Sequence, residues 1–448
     1  MTRKIERSLE ELHKDDPERT DALVFGRKTD VNRRGFLGGS GLAAMGVAVG
    51  GAIPFAATMP GGMIPAALAQ GSAAGGAAKG PQHLKFPGKD EGLVVLGDRP
   101  LVAETPESLL DDDTTPTNKF FIRNNGQMPD EVKDPDKWEI TIDGEVDKPL
   151  KITLGELKSR FPAVTRRMVL ECGGNGRSFF NPEARGNQWT NGGAGCAEWT
   201  GVQLSEVLKA AGVKSSAVFT GHYGADPHLS GEAGRAAISR GVPIKKAMED
   251  GNLIVWAMNG APLPNIHGAP VRLVIGGWPG SVSSKWLNRI WVRDKPHDGQ
   301  GMGGTSYRVA INPMIPGGKA DPANFRDLES MPVRSIITSP ANGTKLAAGT
   351  RELKLRGAAW AGDNTVKRVD LSTDFGATWQ TVNDLQQPKN RYDWQRWTAT
   401  LKLPSNGYFE IWSRATDSND IMQPHVAGNW NPQGYGGNPM HRIAILVG

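Results

Sequence analysis

Apolar and polar positions alternate over residues 137–142, where Trp138, Ile140 and Ile142 share one face and Asp143-Gly144 follows as a turn pair; the period of two predicts a strand. Residues 153–160 read as a short helix, with Thr153 as N-cap and Glu156 three positions on as its capping-box partner, and residues 204–211 read as another. Val271 to Ile275 is apolar except for Arg272 and is closed by Gly276-Gly277, the pattern of a buried strand. Glycines and prolines break every element early, so residues 116–326 are expected to form an α+β domain rich in loops. Beyond Met331 the pattern changes. Leu353 and Leu355 alternate with charged residues, as do Val369 and Leu371 before a turn at Asp374-Phe375-Gly376. Trp397, Ala399, Leu401 and Leu403 alternate, followed by Phe409 and Ile411. Short strands at near-regular spacing predict a β-sandwich over 331–448, and a length near 115 residues favours a separate domain.

Ahead of both domains, residues 70–115 are rich in Gly, Ala and Pro and then acidic at Asp111-Asp112-Asp113, reading as a linker and wrapping arm. Further upstream, Asn32-Arg33-Arg34-Gly35-Phe36-Leu37 is a twin-arginine motif. No charged residue follows until Lys79, and Ala67-Leu68-Ala69 offers a small-x-small cleavage site. Residues 1–69 are therefore expected to be a twin-arginine signal peptide and the protein periplasmic. The charge-free stretch is also long enough to span a membrane, but its glycines and Pro54, Pro60 and Pro65 argue against a stable helix.

The chain has 52 Lys/Arg and 47 Asp/Glu; without residues 1–69 the numbers are 43 and 39. This mild positive balance favours an anionic substrate or acidic redox partner. With no basic run interleaved with aromatics, nucleic acid is not indicated. The two cysteines rule out four-cysteine iron–sulfur ligation, and no C-x-x-C-H haem attachment site is present. Cys172 and Cys196 could form one disulfide. Cys172 could also be a nucleophile with His267 or His222 as base, or a thiolate metal ligand favoured by Arg166, Arg167 and Arg177 nearby.

Three stretches favour the last of these. The first is Cys172-Gly173-Gly174-Asn175-Gly176-Arg177, and the second is Phe121-Ile122-Arg123-Asn124-Asn125. The third comprises His267-Gly268-Ala269-Pro270-Val271-Arg272 with Ser283-Ser284-Lys285-Trp286-Leu287. Together they resemble the sulfite oxidase family of mononuclear molybdenum enzymes, through its motifs C-x-G-N-x-R and F-x-R-N-H, with Asn125 where histidine is usual. The resemblance covers residues 116–448. It implies a molybdenum–molybdopterin cofactor with Cys172 as metal ligand; the two cysteines and the missing haem attachment site lead us to expect no haem or iron–sulfur cluster in this chain. It also implies an immunoglobulin-like C-terminal sandwich that makes a homodimer.

The pterin and its phosphate would be held by His267, Arg272, Ser283, Ser284 and Lys285, with Phe121, Asn124, Asn125 and Asp226 completing the cofactor site. A phosphate calls for such groups, and an arginine in so apolar a strand is costly unless a ligand compensates it. Arg123 and Arg177 would bind a small oxyanion. Trp256 would border the pocket where the family has a tyrosine, and Gln433 stands where some members have an arginine. The implied activity is oxidation of sulfite or a related sulfur oxyanion, with electrons passed to a periplasmic c-type cytochrome. The alternatives are a reductase of sulfoxide-type substrates, and a non-enzymatic secreted binding protein with a Cys172–Cys196 disulfide.

Overall fold

The computed structural model describes residues 81–448; the twin-arginine segment and its cleavage site lie outside the described residues. No helix among the described residues is long and apolar enough to cross a membrane.

The arm is built into the fold. Its strands β1 (Val94–Asp98) and β2 (Leu101–Glu104) form an antiparallel sheet with β3 (Ile122–Arg123), so the arm sits beside Arg123. Two five-stranded sheets follow. One comprises β4 (Glu139–Gly144), β5 (Leu150–Thr153), β8 (Phe219–Gly224), β9 (Ser239–Pro243) and β13 (Leu287–Arg293), in the order β5-β4-β13-β8-β9. The other contains β6 (Val164–Glu171), β7 (Ala194–Gln203), β10 (Leu253–Met258) and β11 (Ala261–Pro262), in the order β11-β10-β7-β6, with β12 (Arg272–Val274) also paired to β10.

The two helices expected from the sequence form as α1 (Leu154–Arg160) and α2 (Leu204–Ala211). Thr153 caps α1 in a complete capping box: Glu156 N–H donates to Thr153 Oγ1 at 3.2 Å, and Thr153 N–H to Glu156 Oε2 at 2.8 Å. Both helices bury an apolar stripe in one core with the sheets, where Leu157, Val207 and Leu208 meet Ile140, Val202, Ile254 and Ile290. The opposite face of the second sheet builds a separate core from Phe120, Phe121, Leu170, Cys172, Leu253 and Val255. Cys172 is thus anchored in apolar packing at the end of β6.

The C-terminal part pairs two sheets. One is β16 (Arg334–Ser339), β18 (Glu352–Trp360), β22 (Gln395–Lys402) and β21 (Asp384–Leu385). The other is β17 (Thr344–Leu346), β24 (His441–Val447), β23 (Gly407–Asp417), β19 (Val366–Ser372) and β20 (Gln380–Thr381). Ile337, Leu355 and Trp397 from the first meet Val369, Ile411 and Ile445 from the second in one core. Leu353 and Leu355, read above as alternating, both point into it.

Buried charges tie this part to the strand that carries Cys172. Glu171 is 2% exposed and Arg334 fully buried; their ion pair is 2.9 Å long. Glu171 Oε2 also accepts from Trp360 Nε1 at 2.7 Å, and Arg334 donates to the carbonyls of Asn175 and Gly437. A second pair, this one bidentate, joins Arg167 to Asp393 at 2.8 Å. Removing one partner of such a pair leaves an uncompensated charge at a cost of about 3–5 kcal/mol. Arg334→Met is therefore expected to lower unfolding stability by about that amount in urea denaturation. Arg334→Met with Glu171→Gln is expected to lose less than the single change. A single variant within about 1 kcal/mol of wild type would contradict the pair's role.

Candidate functional site

Strand β6 ends at Glu171, and the chain turns at once through Cys172-Gly173-Gly174. Cys172 N–H donates to Gly193 O at 2.8 Å, and Asn175 N–H to Cys172 O at 2.9 Å. Asn175 itself is braced by Glu171 Oε1 at 2.9 Å and by Gly193 N–H at 3.0 Å. Gly176 takes a φ of +82°, open to glycine at little cost. A Cβ on Gly174 would displace the Arg177 guanidinium, and one on Gly176 would run into the carbonyl of Gly437. The result is a rigid loop holding one thiol, 7% exposed, at the wall of a cleft.

That cleft holds about 720 Å³ of empty space, part of it open to solvent. It gathers Phe121, Arg123, Asn124, Asn125, Cys172, Asp226, His267, Arg272, Ser283, Ser284 and Lys285, each of them anticipated from the sequence as a site residue. Both cysteines are free, so the disulfide alternative does not form. They belong to different cores, and Cys196 lies 3.4 Å from Asp393. The nucleophile alternative fares no better. His222 bonds to Val282 O and Thr220 Oγ1 at 2.9 Å, and His267 faces Lys89 Nζ at 3.0 Å.

Two expectations need correction. Trp256 does not line the cleft. Along β10, Leu253, Val255 and Met258 face the Cys172 core, whereas Ile254 and Trp256 face the core around α1 and α2. Strand alternation thus turns Trp256 away from the thiol, and its ring lies 5.8 Å from Lys158 Nζ. Arg177 is also absent from the cleft wall. Its Nε donates to Gln433 O at 2.6 Å and its Nη1 to Asn187 O at 2.8 Å, and its Cζ lies 5.2 Å from the Tyr435 ring. Its fork is occupied by backbone carbonyls. Gln433 is turned toward Thr305, 2.9 Å away.

Two residues were missed. Tyr307 lines the cleft, with its hydroxyl 3.4 Å from Asn125 Oδ1. It follows the glycine-rich run 299–306, where no periodic pattern flags a site; the signal was an aromatic directly after that run. Lys89 belongs to the arm and reads as a solvated loop charge. Its Nζ donates to Thr117 O at 2.7 Å and Phe120 O at 2.5 Å, and it meets His267 Nε2.

Positive charge dominates the cleft. Arg272 is 2% exposed and donates only to backbone carbonyls, including His267 O at 2.9 Å and Ser283 O at 3.0 Å; burial pulls its pKa down to about 9. Lys285 donates to Asn124 Oδ1 and Ile266 O, both at 2.7 Å. Burial, and then Arg272, hold its pKa well below the usual value against the pull of Asp226. Burial lowers Lys89 to about 7, and burial with Lys89 and Lys285 holds His267 well below its ordinary range. Asp226 is the acid on the cleft wall, its pKa raised by burial. The buried hydroxyls of Ser281 and Ser284 have no partner. Unpaired donors beside uncompensated cations suit a phosphate or similar anion. Among the described residues no group of three acidic, histidine or cysteine side chains could hold a metal ion. A metal here would have Cys172 as protein donor and bring its other ligands with it.

Residues 125–301 match the oxidoreductase molybdopterin binding domain, and residues 326–448 the Mo-co oxidoreductase dimerisation domain. Sulfite oxidase from Gallus gallus is 31% identical over 366 residues, covering 80% of this chain and 78% of that one. The mitochondrial sulfite oxidase of Macaca fascicularis is 32% identical over 378 residues, covering 81% and 67%. The structure of the sulfane dehydrogenase SoxCD from Paracoccus pantotrophus aligns with a TM-score of 0.65 at 26% identity, over 83% of this chain and 92% of that one. A molybdopterin-binding domain built around a lone thiol and a cationic cleft, joined to a dimerisation domain, makes this chain an oxidoreductase of the sulfite oxidase family.

Proposed function

We propose that the enzyme oxidises sulfite, or a closely related sulfur oxyanion. Sulfite takes one oxygen from water and releases two protons and two electrons as sulfate forms. The observation that carries this reading is the cleft itself: buried cations, orphaned hydroxyls and one thiol meet in a space suited to an anionic cofactor and a small anion. The donors present fit molybdopterin. Arg272, Lys285, Ser283 and Ser284 would hold its phosphate end, with Asp226, Asn124 and His267 on the pterin. Phe121 would pack beside it and Cys172 would bind the metal. When bound, the cofactor supplies the oxygen transfer and accepts the two electrons. Arg123 and the Tyr307 hydroxyl would hold the substrate anion at the open side, with Asn125 beside them. Arg177 would act from behind the cysteine loop, fixing its shape and adding positive charge. The sulfite oxidases among the relatives and the sulfane dehydrogenase SoxCD support a reduced sulfur substrate.

The wider setting belongs to the same proposal. The twin-arginine motif supports export to the periplasm. Electrons would pass to a c-type cytochrome there, this chain having no haem attachment motif. The dimerisation-domain match supports a homodimer built through the C-terminal sandwich, whose two facing sheets suit an immunoglobulin-like fold.

Replacing both phosphate-end cations, in Arg272→Ala with Lys285→Ala, removes two charge-assisted contacts, each contributing about 1.5–3 kcal/mol. The purified double variant is expected to contain little molybdenum by elemental analysis; wild-type content would overturn the assignment. For substrate, purified holoenzyme with an artificial electron acceptor is expected to turn over sulfite. Its KM should rise several-fold between about 10 mM and 150 mM salt, and sulfate should inhibit competitively. Turnover of neutral sulfoxides with indifference to sulfite, sulfate and salt would establish the reductase alternative instead.

A further inference from the structure

Arg240, on β9, is 1% exposed and makes no ion pair among the described residues. Its Nε has no partner, and its Nη1 reaches Gly301 O at 3.5 Å, the limit of a hydrogen bond. A guanidinium buried with so few partners is expensive, so its contacts need a reason. Its Cζ lies 4.5 Å from the ring centroid of Tyr307. The same ring stacks on Tyr435 at 4.8 Å and 22°, and Tyr435 in turn carries Arg177. Four buried side chains therefore form one stack in the order Arg177, Tyr435, Tyr307, Arg240. Of these, Tyr307 lines the cleft.

Other features show that Tyr307 is held rather than merely placed. Its φ is +50°, a left-handed conformation that a bulky residue adopts only under external constraint. Tyr435 is fixed to the same loop: its hydroxyl donates to Gln433 Oε1 at 3.0 Å, and Gln433 Nε2 donates to Thr305 Oγ1 at 2.9 Å, two residues before Tyr307. Asn431 Oδ1 accepts the Tyr435 N–H at 2.9 Å. The clamped hydroxyl reaches Asn125 at 3.4 Å, long for an O–H donor and easily given up to a better acceptor.

We propose that Arg240 and Tyr435 are positioning residues that clamp Tyr307 so that its hydroxyl stands in the cleft as a fixed hydrogen-bond donor to the bound oxyanion. The proposal rests on the oxyanion reading above. Arg240 acts through cation–π attraction to the ring, and Tyr435 links the C-terminal domain to the substrate site.

Calorimetric titration of holoenzyme with sodium sulfate, an unreactive oxyanion, tests it. Arg240→Met and Tyr435→Leu are each expected to weaken sulfate binding by about fivefold or more, at unchanged molybdenum content. Arg240→Lys should recover part of the loss, an ammonium being a weaker match to the ring than a guanidinium. In a Tyr307→Phe background, Arg240→Met should cost nothing further, because the hydroxyl it positions is gone. The same variants should raise the sulfite KM more than they lower kcat. Equal losses in both backgrounds would show general structural damage and overturn the clamp, as would wild-type affinity in Arg240→Met and Tyr435→Leu. If Arg240→Met fails to fold, the Lys and Tyr435 variants carry the same comparison. Wild-type holoenzyme that binds no sulfate would instead sink the oxyanion reading, and the clamp's purpose with it.

Discussion

More positive charge is buried around one cleft than the acids there can balance. Arg272, Lys285 and Lys89 converge with His267, and Asp226 faces them on the wall. Charges out of water are stabilised only by partners, and here most of the partners are backbone carbonyls. The folded chain therefore carries an electrostatic deficit that an anion removes. Unpartnered serine hydroxyls face the same cleft. The arm, built into the fold, adds Lys89 against His267.

A second constraint keeps the thiol in place beside that charge. The Cys172 loop lies between apolar packing on one side and the Glu171–Arg334 pair on the other. Arg334 starts the first strand of the C-terminal part, so the Cys172 loop is shaped partly by residues more than 160 positions away. The Tyr435 stack is a second link of this kind. The C-terminal part thus has a role in the site apart from any role in assembly.

The sequence revealed most about residues whose chemistry is local. The capping box of Thr153 and Glu156 and the alternation of Leu353 and Leu355 depend on neighbours a few positions away, and both read correctly. Strand alternation decided against Trp256: the residue was recognised, but the face it occupies depends on how β10 sits between β7 and β12. Arg177 matched its motif and still spends its fork on carbonyls, because Gln433 O and Asn187 O reach it through tertiary packing. Tyr307 and Lys89 were invisible for the same reason. One follows glycines and the other sits in a loop, and long-range contact alone brings Tyr307 to the cleft and Lys89 to His267.

The electrostatic deficit is directly measurable. Protein prepared without molybdopterin should bind inorganic phosphate at pH 8 and take up protons as it does so. Lys89, with its pKa lowered to about 7, is mostly neutral at that pH, and a bound dianion pulls the group back toward its charged form. Calorimetric titration in two buffers of different ionisation enthalpy reads the proton count, and Lys89→Met should reduce it. Net uptake that falls in the variant supports a cleft built to be completed by an anion. No binding, or binding with proton release, would contradict it.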